Sequence, residues 1–282
     1  MTGPLASCSW LAERLDGPDI RVVDTRWYLG EPGKGRTHYE QGHIPGALFM
    51  DLDEDLVAPA GPGRHPLPDR DRFAELLGQR GIGNDHHVVV YDQGPGSIAA
   101  RLWWMLRDLG HAGVSVLDGG YSGWTAEGGP TTVTVRGMAP TTFDAGEGRT
   151  PTIDRHALLS RLGNIQVVDA RPPERYRGDV EPIDPVAGHI PTSISVPTDG
   201  NLGPDGRFKS PEGLADRFKE LGIDPVEPIV SSCGSGVTAC HNILALHLAG
   251  FPEPTLYPGS WSDWSSSGFP AATGPEPGPA PS

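Results

Sequence analysis

Four short blocks occur twice along this chain, in the same order, and that duplication constrains the fold more than any single residue does. Arg21-Val-Val-Asp-Thr-Arg26 is echoed by Gln166-Val-Val-Asp-Ala-Arg171, and Gly42-His-Ile-Pro-Gly-Ala47 by Gly188-His-Ile-Pro-Thr-Ser193. Val88-Val-Val-Tyr-Asp92 answers Pro228-Ile-Val-Ser-Ser-Cys233, and Gly119-Gly-Tyr-Ser-Gly-Trp124 answers Gly259-Ser-Trp-Ser-Asp-Trp264. The offsets stay between 140 and 146 residues, the mark of a duplicated unit with small loop insertions. A chain of 282 residues accommodates two such domains of ordinary size.

Within each half, short β-branched runs alternate with amphipathic stretches. Val22 to Asp24 and Val88 to Tyr91 read as buried parallel strands. Between them, Phe73, Leu76 and Leu77 have helical spacing over Asp69 to Arg80, and Gly81 supplies a stop. A second helix is predicted over Ser97 to Leu109. The other half repeats the scheme, with strands over 165–169 and 228–232 and helices over 211–221 and 236–249. Strands separated by helices predict an α/β fold in which each half is a parallel sheet with helices on both faces. The boundaries expected are a first domain over 1–127, a Gly-, Pro- and Thr-rich linker over 128–150, a second domain over 151–267 and a disordered tail over 268–282.

Hydrophobic residues at 37% and charged residues at 21% give an ordinary core-forming balance. A net charge of −14 repels polyanions, so neither nucleic acid nor an anionic membrane is expected as a partner, and an anionic substrate needs local positive charge. No run of eighteen apolar residues occurs, so no spanning helix is expected; Glu13 interrupts the apolar N-terminal residues, so no signal peptide is expected. Three cysteines, Cys8, Cys233 and Cys240, fit a reducing compartment better than a disulfide scaffold, which predicts a cytoplasmic location.

Cys233 falls at the carboxyl end of a predicted strand, in the loop Cys233-Gly-Ser-Gly-Val-Thr238 that opens into a helix, where open α/β sheets bind ligands. Gly234 and Gly236 permit backbone conformations in which successive N–H groups turn inward around one anionic atom. The same groups favour a thiolate, the nucleophilic form of cysteine. A lone cysteine at a strand end is more often an inert buried thiol; the glycine loop reverses that balance here. Cys240, inside the following helix, reads as a small buried core residue, and Cys8 has no motif around it. No cysteine pair has metal-ligand spacing, so no metal site is expected. A phosphatase loop would place an arginine at its far end, but position 239 is Ala239 and no arginine lies between Cys233 and Ala249.

These residues resemble the two-domain sulfurtransferases, the family of rhodanese (thiosulfate sulfurtransferase) and 3-mercaptopyruvate sulfurtransferase. Gly42-His-Ile-Pro-Gly-Ala47, Arg101-Leu-Trp-Trp-Met105, Leu117-Asp-Gly-Gly120 and Cys233-Gly-Ser-Gly-Val-Thr-Ala239 carry the resemblance from about Trp10 to Trp264. It implies two tandem rhodanese-like domains, with a persulfide on Cys233 and a catalytically silent first half, because Asp92 stands where the second half has its cysteine. A loop with Ser235 in place of a basic residue looks like the mercaptopyruvate branch. The resemblance further implies that Gly234, Ser235, Gly236, Val237 and Thr238 bind the persulfide and substrate, that Arg175 grips the donor's anionic group, and that His43 and Ser235 move protons. His43 has a structural counter-reading, since His189 repeats it. A second donor-binding arginine is expected several residues past Arg175, yet Asp179 to Ala187 contains none; Arg177 is the nearby alternative.

The reading is therefore a sulfurtransferase that moves sulfane sulfur from 3-mercaptopyruvate, a small anionic donor, to an acceptor thiol such as thioredoxin, to a low-molecular-weight thiol or to cyanide, with no metal or organic cofactor. Thiosulfate as donor, or a non-catalytic module that hands sulfur to a sulfur-accepting protein, are the alternatives.

Overall fold

A computed structural model describes residues 3–148 and 150–281. Met1 and Thr2 of the expected first domain, Arg149 of the expected linker and Ser282 of the expected tail lie outside the described residues. The chain forms two compact units. The first comprises Met1–Val57, Pro68–Arg149 and Pro204–Arg207; the second comprises Ala58–Leu67, Thr150–Gly203 and Phe208–Ser282.

In the first unit, strands β1 (Leu5–Ala6), β2 (Ile20–Asp24), β3 (Leu48–Phe49), β4 (His87–Tyr91) and β5 (Val114–Leu117) form one sheet in the order β1-β5-β4-β2-β3, with every pair parallel. In the second unit, β6 (Gln166–Asp169), β7 (Ser193–Ser195), β8 (Ile229–Ser232) and β9 (Thr255–Leu256) form a parallel sheet in the order β7-β6-β8-β9. The repeated blocks thus become repeated topology, with β5-β4-β2-β3 answered by β9-β8-β6-β7. Even the edge recurs, because Thr152 bridges Leu256 in parallel where β1 pairs with β5.

Period-two side-chain alternation explains why each sheet needs cover on both faces. In the second unit, Val167 and Val230 pack with Leu158, Trp261 and Trp264 on one side. Their neighbours Val168 and Ile229 pack with Leu214, Phe218, Ala245 and Leu246 on the other. The helices Arg155–Leu159 and Ser260–Ser265 supply the first set, and Pro211–Glu220 and Ala239–Leu248 the second.

Helix starts follow local capping. Asp69 accepts the N–H of Asp71 and Arg72 ahead of the Arg70–Gln79 helix, and Ser210 accepts the N–H of Gly213 ahead of Pro211–Glu220. The helix expected from Gly236 begins only at Ala239, because the preceding residues fold back around a sulfur atom. In the stretch after Ser265, Ala272 bridges His189 and the Pro277 carbonyl accepts the N–H of Thr192. Among the described residues no helix is long and apolar enough to cross a membrane.

Candidate active site

Strand β8 delivers Cys233 to the carboxyl edge of its sheet, and the chain then turns sharply. Gly236 adopts φ +77°, a conformation that L side chains rarely take. The turn aims the N–H groups of Ser235 and Gly236 at Cys233 Sγ, at 3.4 and 3.1 Å. The sulfur is buried, and its residue is held from behind as well: Cys233 N–H donates to Ser260 Oγ at 3.0 Å, and Cys233 O accepts from Trp261 N–H at 2.9 Å. Ser260 itself carries φ +50° while fully buried, a backbone conformation that persists only where its surroundings impose it. Its hydroxyl donates to the Tyr257 carbonyl and accepts from Cys233, so the cost at Ser260 is tied to the cysteine's position.

The loop residues singled out in the sequence fall together here. Ser235 and Val237 are buried, as is Gly234, and Thr238 directly precedes the Ala239–Leu248 helix. Cys240 is buried with its thiol against the Gly236 carbonyl, as a core residue should be.

A ladder of alternating charge leads from the sheet to this loop. Asp169, at the end of β6, takes both the Nε and Nη2 of Arg171, and the Arg171 guanidinium stacks over the Trp261 ring at 4.7 Å. Burial works against the Arg171 charge, but Asp169, with Glu181 and Cys233 behind it, holds the guanidinium above its ordinary range. Glu181 stands 3.5 Å from Arg171 and 2.7 Å from Arg175. Asp184 takes Arg175 at 3.2 Å with one oxygen and Arg64 with the other. Burial alone would raise the Glu181 carboxyl, yet hydrogen bonds from Arg175 and the backbone N–H of Asp184 and Ile183 hold it below the usual range. For Asp184 burial wins, and its carboxyl is raised despite Arg64.

Two residues in this constellation escaped the sequence reading. The segment Gly61-Pro-Gly-Arg-His-Pro-Leu67 belongs to the second unit, although it lies far from it in sequence. Gly63, at φ +77°, lets the backbone approach Gly259, and Arg64 N–H donates to Ser262 Oγ at 3.1 Å. His65 Nδ1 lies 2.7 Å from Ser235 Oγ. A polar Arg-His pair braced by prolines and glycines in a loop was the available signal.

His43 belongs to the first unit. It is fully buried and stacked on Tyr39 at 4.0 Å, with Nδ1 at 2.7 Å from the Tyr39 carbonyl and Nε2 at 3.3 Å from the Thr134 carbonyl. His189 repeats the arrangement against Tyr176. Arg177 pairs with Asp179 at the surface. Asp92 has the loop to itself: its two oxygens accept the N–H groups of Gly94, Gly96, Ile98 and Ala99 at 2.9 to 3.3 Å. The first unit thus keeps the anion-holding turn but fills it with its own carboxylate.

The Rhodanese-like domain family matches residues 7–127 and 154–267. The chain is 48% identical to a probable 3-mercaptopyruvate sulfurtransferase of Pseudomonas aeruginosa, over 96% of this chain and 98% of that one. It is 40% identical to the thiosulfate sulfurtransferase of Rattus norvegicus, over 92% and 91% of the two chains. Among solved structures, the 3-mercaptopyruvate sulfotransferase of Escherichia coli superposes with a TM-score of 0.82 at 34% identity, covering 93% of this chain and all of that one.

Proposed function

Since the chain belongs to the rhodanese-like, two-domain sulfurtransferase family, we propose that it transfers sulfur from 3-mercaptopyruvate through a persulfide on Cys233, with 151–267 as the catalytic domain and 1–127 as its silent relative. The observation that carries this reading is the pair of loop amides aimed at Cys233 Sγ, with the His65–Ser235 pair at one side and the Arg175 guanidinium over the loop.

Cys233 thiolate attacks the donor's sulfur, and the carbon–sulfur bond breaks with its electron pair moving to the carbon that becomes the pyruvate methyl group. The donor's thiol proton ends on that carbon, leaving the enzyme as a persulfide anion. Ser235 and His65 are the groups placed to carry the proton, and we assign that role to His65 rather than His43. The amides of Ser235 and Gly236 point where the persulfide charge rests. An acceptor thiolate then takes the outer sulfur and frees Cys233. Thioredoxin or a low-molecular-weight thiol is the proposed acceptor, with cyanide able to replace it in the test tube. A cytoplasmic location belongs to the same proposal and is supported by three free cysteines.

Steady-state kinetics test the reading. Varying donor and acceptor should give the parallel double-reciprocal lines of a double displacement, with 3-mercaptopyruvate preferred over thiosulfate. His65→Gln should lower kcat by about 10²-fold with little change in donor KM. Intersecting lines, or a preference for thiosulfate, would overturn the mechanism or the donor respectively.

A further inference from the structure

Arg64 and Arg175 approach the persulfide loop from different segments yet converge on one spot. A Cβ placed on Gly234 would lie 3.1 Å from Arg64 Nη2 and 3.5 Å from Arg175 Nη1. Neither of these two nitrogens makes a hydrogen bond among the described residues; the opposite nitrogen of each guanidinium is the one engaged by Asp184. Two charged donors therefore face the space beside the nucleophile, while one carboxylate holds both from behind. Asp184 is almost fully buried, at 3% side-chain exposure, so its charge is little screened by water.

We propose that Arg64 is the second donor-binding guanidinium of this enzyme, in place of the arginine missing from Asp179–Ala187, and that the Asp184 charge shifts the balance between donors toward a monoanionic one and away from a dianionic one. The inference rests on the sulfurtransferase reading above. Its logic is a charge count along the ladder. Arg64, Arg171 and Arg175 face Asp169, Glu181 and Asp184, so the three guanidiniums and three carboxylates cancel, and the Cys233 thiolate leaves the site net negative before a donor enters. A donor with one carboxylate can be held by two directed hydrogen-bond pairs without an excess of positive charge. A dianion such as thiosulfate brings twice the charge into the same array. Removing the Asp184 charge adds one positive unit, and at equal distance that unit attracts a dianion twice as strongly as a monoanion.

The test compares donors across variants of the full chain. Asp184→Asn should raise the ratio of kcat/KM for thiosulfate over that for 3-mercaptopyruvate by about tenfold. Asp184→Glu, which keeps the charge, should restore the ratio toward the wild-type value. Arg64→Gln should raise the KM for 3-mercaptopyruvate about tenfold or more while persulfide still forms at saturating donor. Thermal melts check that each variant is folded, and if Asp184→Asn fails to fold, Asp184→Ser takes its place in the donor comparison. An unchanged donor ratio in folded Asp184→Asn, or an Arg64→Gln KM within twofold of wild type, would overturn the proposal. If wild-type enzyme prefers thiosulfate, the donor reading falls, but the direction of the Asp184→Asn shift still scores this one.

Discussion

Glu181 is held by Arg175 and by two backbone N–H groups, with Arg171 close behind, and its carboxyl is kept below the usual range. A carboxyl with a depressed folded-state value stabilises the fold fully above its unfolded value, about 4.3, and loses that contribution as pH falls through the folded value. Urea unfolding of Glu181→Gln beside wild type should therefore show a full stability gap at pH 6 to 7 that closes as pH drops below about 4. A gap that is the same size at both ends of that range would show that Glu181 acts by packing rather than by charge. Single residues were also where the sequence was most and least informative. Cys233 was legible because its glycine loop is contiguous, and a contiguous motif carries its geometry with it. Arg64 and His65 were not, because about 170 residues separate them from Ser235 and nothing local shows where their segment lands. The structural counter-reading of His43 came from its twin His189, and both lie stacked on a tyrosine in the same kind of turn.

Among the elements, the Cys233–Thr238 turn depends on backbone conformation more than on side chains. At Gly236, φ is +77° and an added Cβ would run into the Pro258 carbonyl, so Gly236→Ala combines backbone strain with a clash against backbone. The variant should lose about 1 to 3 kcal/mol of stability and, because the amide leaves the sulfur, form persulfide slowly even where it is folded. Wild-type stability and persulfide rate in that variant would mean the turn tolerates another path. The longer elements are readable, the strands Ile20–Asp24 and His87–Tyr91 from their β-branched runs and the helix Arg70–Gln79 from the spacing of its apolar residues. Strands of two residues, such as Leu48–Phe49 and Thr255–Leu256, are too short to show a period and exist because a neighbouring strand offers a ladder. The helix expected from Gly236 starts instead at Ala239, because the amides of Ser235 and Gly236 turn toward the sulfur rather than into the helix.

At the scale of the whole molecule, duplication explains the fold and the difference between its two loops. One copy keeps Cys233 in its turn, and the other fills the same turn with Asp92, which satisfies four backbone N–H groups. Asp92→Ala would leave those donors buried without their acceptor and should cost about 2 kcal/mol, seen as a lower Tm, while turnover of the folded enzyme stays at the wild-type level. A large loss of kcat at a temperature where the variant is folded would give the first half a chemical part in the reaction. The central claim remains that Cys233 carries the transferred sulfur. Intact mass spectrometry after brief exposure to 3-mercaptopyruvate, with no acceptor present, reads it directly: the wild-type chain should gain the mass of one sulfur atom, Cys233→Ser should gain none, and added thiol should remove the gain. A wild-type chain whose mass does not change, or a Cys233→Ser chain that gains the same atom, would contradict it.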